Sequence, residues 1–155
     1  MGRALELLCK ALALAGGAIL AAITLMAVAS IGGRLAGHPI QGDFELVQLG
    51  CAVAIAFFLP FCQLERGNII VDFFTVRCGA RTQRGLDAFG ALLLAIVMAL
   101  VAWRTWAGTV AMKAGGETSM IMGIPLWYAY ALLTPAFALT ALAGLYGAWR
   151  DWRQV

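Results

Sequence analysis

Residues 11–33 read ALALAGGAILAAITLMAVASIGG, a run without Asp, Glu, Lys or Arg. At about 1.5 Å rise per residue, such a run is long enough to cross a hydrocarbon layer of roughly 30 Å. Three more runs, 46–64, 88–103 and 118–149, are equally free of charge. Each reaches or nearly reaches the roughly 20 apolar residues that one crossing needs. In hydrocarbon every backbone N–H and C=O must be paired within the segment or to a neighbour, which makes the runs helices. The reading is an all-α integral membrane protein with four transmembrane helices, at about 11–33, 46–64, 88–111 and 125–149.

Composition agrees. Hydrophobic residues make up 63% and charged residues 12% of the chain, against roughly 45–50% and about 25% in soluble domains. Four crossings and short links use up nearly all 155 residues, so one membrane domain over 1–155 is expected. The net charge of +3 does not point to nucleic acid, because the basic residues are spread along loops. Their distribution has a topological cause. With the N-terminus in the cytoplasm, the inner segments hold Arg3, Lys10, Arg66, Arg77, Arg81, Arg84, Arg150 and Arg153, while the outer loops hold Arg34 and Lys113. The positive-inside rule therefore places both termini in the cytoplasm. Arg3 and Lys10 precede an apolar run and Ala27-Val28-Ala29 offers a small-residue site, but the run exceeds the roughly 7–15 residues of a signal-peptide core. An uncleaved helix is expected.

Along the chain, Arg3, Glu6 and Lys10 stand at helical spacing, so the N-terminal stretch continues into helix one or lies at the inner surface. Gly16-Gly17 would let helix one approach a neighbour closely, since packing rather than water exclusion drives association in lipid. Gly37, Pro39 and Gly42 end helix one. Asp43 and Glu45 then open helix two, where acids complement the helix dipole; from composition alone that role ranks above binding. Pro60 and Pro135 predict bends in helices two and four.

The inner link, 65–87, is the longest and most charged. Arg77, Arg81 and Arg84 would share one helical face, behind the apolar Ile69, Ile70, Val71, Phe73, Phe74 and Val76. The expectation is an interfacial amphipathic segment between helices two and three, its Arg side chains meeting anionic lipid headgroups. Charge that merely fixes topology is the simpler reading, and the two are compatible. Arg104 lies about 24 Å along the helix axis from Ala88, near the outer headgroups, where a long side chain snorkels. With Trp103 and Trp106 at the same depth, this favours a lipid anchor over a transport site. The stretch after Glu117 is too long for one crossing, so Ser119 to Ile124 is expected at the outer surface, ahead of a helix four bounded by Trp127 and Trp149.

Several chemistries lack their residues. Cys9, Cys51, Cys62 and Cys78 form no C-x-x-C pair. Cys51 and Cys62 would lie about 16 Å apart on one helix, too far for a disulfide. His38 is the single histidine, so paired-histidine haem ligation within the chain is excluded. No Gly-rich phosphate loop or metal-ligand cluster is present in the sequence, and no catalytic residue, cofactor or metal is assigned. Self-sufficient ion-coupled transporters usually place acids or broken helices near mid-membrane. The first and fourth runs have no charge at all, which suggests part of a membrane machine.

One segment is distinctive. Gly42-Asp43-Phe44-Glu45-Leu46 opens helix two, Phe57-Phe58-Leu59 lies near its end, and Glu65-Arg66-Gly67-Asn68-Ile69-Ile70-Val71-Asp72 follows. This resembles the small membrane subunit of tripartite ATP-independent periplasmic (TRAP) transporters. That family shows an acid at the start of helix two and an R-x-G-x-H-I-x-V-D-like stretch after it. Arg66, Gly67, Ile69 or Ile70, Val71 and Asp72 fit, while Asn68 stands near where the family often has histidine. The motif covers about thirty residues; the four-helix topology matches across the chain.

The resemblance implies a small permease subunit of a sodium-coupled transporter in a bacterial inner membrane. A periplasmic solute-binding protein captures an organic acid and delivers it to two membrane subunits. The large subunit carries substrate and sodium by an elevator motion, and the small one is a scaffold, not an enzyme. On that reading Glu65, Arg66, Gly67 and Asp72 hold the link by local pairing or touch the large subunit. Asp43, Glu45 and Glu117 are the outer candidates for meeting the binding protein. Arg77, Arg81, Arg84, Arg104, Trp103 and Trp106 contact membrane lipids. The alternative is a membrane-anchor or electron-transfer subunit of another complex.

Overall fold

The computed structural model describes residues 2–35, 37, 41–65 and 80–152, with the backbone alone at 2, 3, 80–84 and 151. Four helices follow in chain order: α1 Gly2–Leu35, α2 Asp43–Leu64, α3 Ala80–Gly115 and α4 Trp127–Trp152. Each contains a stretch long and apolar enough to cross a membrane: Ala4–Leu35, Asp43–Leu64, Gly85–Gly115 and Trp127–Arg150. The all-α membrane architecture read from the charge-free runs is the architecture found.

The helix ends differ from that reading mostly by extension. α1 begins at Gly2, one of the two placements expected for the N-terminal stretch, while α3 begins at Ala80 instead of 88 and ends at Gly115 instead of 111, and α4 begins at Trp127 instead of 125 and extends to Trp152. The physical reason is that a charge marks where hydrocarbon stops, not where a helix stops. Arg, Lys and Glu are good helix formers once they reach water or headgroups. At about 1.5 Å per residue the 34 residues of α1 and 36 of α3 span roughly 50 Å, well beyond a 30 Å core. The link between α2 and α3 is correspondingly shorter: Arg81 and Arg84 belong to the first turns of α3. Arg66, Gly67, Asn68, Asp72 and Arg77 lie outside the described residues, as does most of the expected interfacial segment.

The helices stand in an open row. α1 packs on α2, α2 on α4 and α4 on α3, while α1 and α4 barely meet and α3 touches neither α1 nor α2 among the described residues. Small residues set the spacing. A Cβ added at Gly16 of α1 would come within 3.0 Å of the Phe57 Cβ and 3.1 Å of the Ala54 carbonyl oxygen on α2. At Gly144 of α4 it would come within 3.0 Å of the Ala95 Cβ and 3.2 Å of the Ala91 carbonyl oxygen on α3. Close backbone approach maximises dispersion contact where lipid offers no hydrophobic penalty for separation. Between these seams Val53, Ala56 and Phe57 of α2 meet Ala136 of α4 in a buried cluster, flanked by Leu12, Ile19, Ala129, Leu133 and Phe137. α2 and α4 run unbroken through Pro60 and Pro135.

Outward faces stay apolar. Along α3, Phe89, Leu93, Ile96, Leu100, Trp103 and Trp106 are exposed, as a helix surrounded by hydrocarbon requires. Two buried threonine hydroxyls bond within their own helix: Thr140 donates to the Ala136 carbonyl at 2.8 Å and Thr109 to that of Thr105 at 2.9 Å.

Candidate functional site

Among the described residues a network of polar contacts stands at one end of the row, where α1 and α3 finish and α2 and α4 begin. The charge distribution leads one to expect this end outside, and it is called the outer end on that expectation. Gly42 precedes α2 with φ 77° and ψ 10°, a left-handed conformation that glycine adopts without strain. The Met122 side chain covers it so closely that an added Cβ would sit 2.3 Å from Cγ. Turning at Gly42 brings Asp43 against the last turns of α1.

Asp43 there accepts hydrogen bonds from the Ser30 hydroxyl and the Arg34 guanidinium. Its other oxygen accepts the Phe44 backbone N–H at 2.8 Å. Ser30 is fully buried, and the Asp43 side chain is much less exposed than that of Arg34, 17% against 58%. Ser30 and Arg34 are four residues apart, hence on one helical face. A single carboxylate thus ties the end of α1 to the start of α2.

Two residues on, Glu45 faces the other way. Its Oε1 accepts the Ile121 backbone N–H at 2.9 Å and its Oε2 that of Met122 at 3.1 Å. These amides sit at the tip of a short hairpin joining α3 to α4. The hairpin closes through an antiparallel bridge between Thr118 and Pro125, with Ser119 N–H donating to the Ile124 carbonyl at 2.8 Å and Leu126 N–H to that of Glu117 at 3.1 Å. The Ser119 hydroxyl accepts the Ile124 N–H at 3.2 Å. At its base the Lys113 ammonium lies 5.0 Å from the centre of the Trp127 ring, within cation–π range, and Trp127 stacks on Tyr128 with centroids 3.9 Å apart.

The two acids expected at the helix-two entrance are therefore brought together, but as a clasp with internal partners. The dipole reading holds for both, since they occupy the first turn of α2. Glu117 is exposed on the hairpin. Glu65 caps the far end of α2, where its N–H reaches the Phe61 carbonyl at 3.0 Å, well away from the clasp. Arg104, Trp103 and Trp106 are exposed on α3. Ser30 and Arg34 were not singled out from sequence, although an i, i+4 hydroxyl–guanidinium pair before a short loop that ends in Asp was a usable signal. Glu45's partners left none, because they are backbone amides some 76 residues away.

Chemically the clasp is mechanical. It joins three segments through hydrogen bonds to charged acceptors, and its one hydroxyl that meets a carboxylate, Ser30, is fully buried. Among the described residues no group of His, Cys, Asp and Glu side chains is placed to hold a metal ion. Neither curated proteins nor solved structures gave a match to this chain. The model of the family described as "Tripartite ATP-independent periplasmic transporters, DctQ component" matches residues 23–154. That match takes in α2, α3, α4, the clasp and the last third of α1, so the chain belongs to this family and is the small permease subunit of a TRAP transporter.

Proposed function

We propose that this subunit is a non-catalytic scaffold in a sodium-coupled organic-acid transporter. It packs in the inner membrane against a large elevator subunit, keeps both termini in the cytoplasm, and offers its outer end to a periplasmic solute-binding protein. The observation that carries the reading is the open row of helices. A row with two broad apolar faces is suited to lying along a neighbour, whereas a self-contained carrier needs an enclosed path with polar groups at mid-membrane. The clasp supports the outer role, because it ties the end of α1, the start of α2 and the α3–α4 hairpin together and so gives a partner a pre-organised surface. Of the three outer acids, Asp43 and Glu45 are engaged within the chain, which makes the exposed Glu117 the better candidate for contact with the binding protein.

Deleting the chain should abolish uptake while the periplasmic protein still binds its solute. Uptake at normal rate by the large subunit alone would refute an essential scaffold. In vesicles carrying the complete membrane complex, Glu117→Lys should weaken capture of the binding protein, and unchanged capture would remove Glu117 from the docking surface.

A further inference from the structure

Between α1 and α4, which barely meet, α2 forms the floor of an open trough of about 500 Å³. Ile23 and Met26 of α1, Leu46 and Leu49 of α2, and Ala129 and Leu132 of α4 are among its lining residues. Its floor from Leu46 to Val53 is about 10 Å long, against roughly 15 Å for one leaflet's share of the hydrocarbon. The lining is almost wholly apolar, and it starts one residue below Glu45. Directly above stands the clasp, where Arg34 keeps more than half of its side chain exposed while one nitrogen bonds Asp43. A guanidinium has five N–H donors in a fork that suits phosphate, so most of them remain to be used.

We infer that this trough holds one acyl chain of a phospholipid from the clasp-side leaflet, with the phosphate at Arg34. Beside the Asp43 and Glu45 carboxylates stands a guanidinium with unused donors, above an apolar channel somewhat shorter than one leaflet, and a phosphate joined to an acyl chain is the ligand chemistry that uses both. Lipid tails are as apolar as Leu, so burial alone would not retain the chain. Retention comes from the phosphate contact together with a trough that touches the chain on three sides. The lipid then fills the gap between α1 and α4 and completes the seam that the helices leave open.

The test uses the assembled membrane complex, purified in mild detergent and weighed intact by native mass spectrometry. Ala22→Phe projects a ring into the trough, since Ala22 lines it. Ala18→Phe, one turn away on the same helix and outside the lining, is the control. The inference expects Ala22→Phe to retain one phospholipid fewer than wild type and Ala18→Phe to match wild type. After delipidation, vesicles of phosphatidylglycerol should restore the mass increment to wild type and to Ala18→Phe alone. Equal retention by Ala22→Phe and wild type would overturn the inference. So would Ala22→Phe losing the large subunit where Ala18→Phe keeps it, because the trough would then seat a partner helix. Neither readout depends on uptake, so the scaffold reading stands or falls separately.

Discussion

The molecule is two helical hairpins, α1–α2 and α3–α4, and the seams inside them are built unlike the seam between them. Inside each hairpin a glycine lets the two backbones close, Gly16 over Phe57 and Gly144 over Ala95. Each is then locked at the outer end by a cation, Arg34 on Asp43 in one and Lys113 over Trp127 in the other. Between the hairpins the helices α2 and α4 meet through side chains of the Val53 cluster, and Glu45 reaches across to the partner loop. Within a hairpin, packing and a lock duplicate each other. Across hairpins, orientation rests on an apolar patch and one carboxylate, so that is where a single polar change alters geometry without unfolding a seam.

The largest effect should come from filling an intra-hairpin seam. Gly144→Leu places a side chain where even a Cβ would lie 3.0 Å from Ala95 and 3.2 Å from the Ala91 carbonyl. Overpacking of this kind costs about 1–3 kcal/mol. Tm of the purified chain in detergent should fall by several degrees. Gly147→Leu, three residues on, meets nothing within 4 Å and should leave Tm unchanged. Equal losses at both positions would mean that α4 responds to leucine itself and not to the seam.

The inter-hairpin link should break more locally. Glu45→Gln keeps one carbonyl oxygen but turns the second acceptor into an NH2 donor, which then faces a backbone N–H. With Ile121 N–H on Oε1 and Met122 N–H on Oε2, one of the two must lose its partner. Hydrogen exchange at the hairpin tip should speed up several-fold, while amides along the α3–α4 seam keep their protection. If the tip amides exchange at wild-type rate, Glu45 does not hold the loop. If the seam amides speed up as well, the two levels of organisation are not separate.

How far sequence alone reaches follows the same division. The four crossings were legible because hydrocarbon punishes charge, and the charge-free runs are direct readouts of that cost. Gly16 was legible as a packing contact for the same kind of reason, and its neighbour Gly17, with nothing within 4 Å, shows that the pair is used on one side only. The start of α1 was one of two open placements; the start of α3 was not legible, because Arg84 marks the edge of hydrocarbon while the backbone hydrogen bonds run on past it. Of the clasp, Asp43 and Glu45 could be placed at a helix entrance, where the dipole favours acids. Their partners could not: a carboxylate reaching backbone amides on a distant loop leaves no pattern in side-chain identity, and the row order that brings α2 beside α4 is a tertiary fact. The motif running from Arg66 to Asp72 identified the family without any help from geometry, and those residues lie outside the described ones.

The smallest effect should come from the lock that appears most conspicuous. Arg34→Gln removes the ion pair with Asp43, but the Arg34 side chain is mostly exposed, so water already solvates the guanidinium and holding a long side chain still costs entropy. Asp43 keeps its bonds from Ser30 and the Phe44 N–H, so Tm should move less than for Gly144→Leu, and exchange at the hairpin tip should stay at wild-type rate. Ser30→Ala is the sharper comparison. Ser30 is fully buried, and its loss strips Asp43 of a donor at a place water does not easily reach. The ordering expected is therefore Ser30→Ala below Arg34→Gln in Tm. The reverse order would mean that charge, not the buried hydroxyl, holds α1 to α2, and raising the salt concentration would then lower the Tm of the wild type toward that of Arg34→Gln.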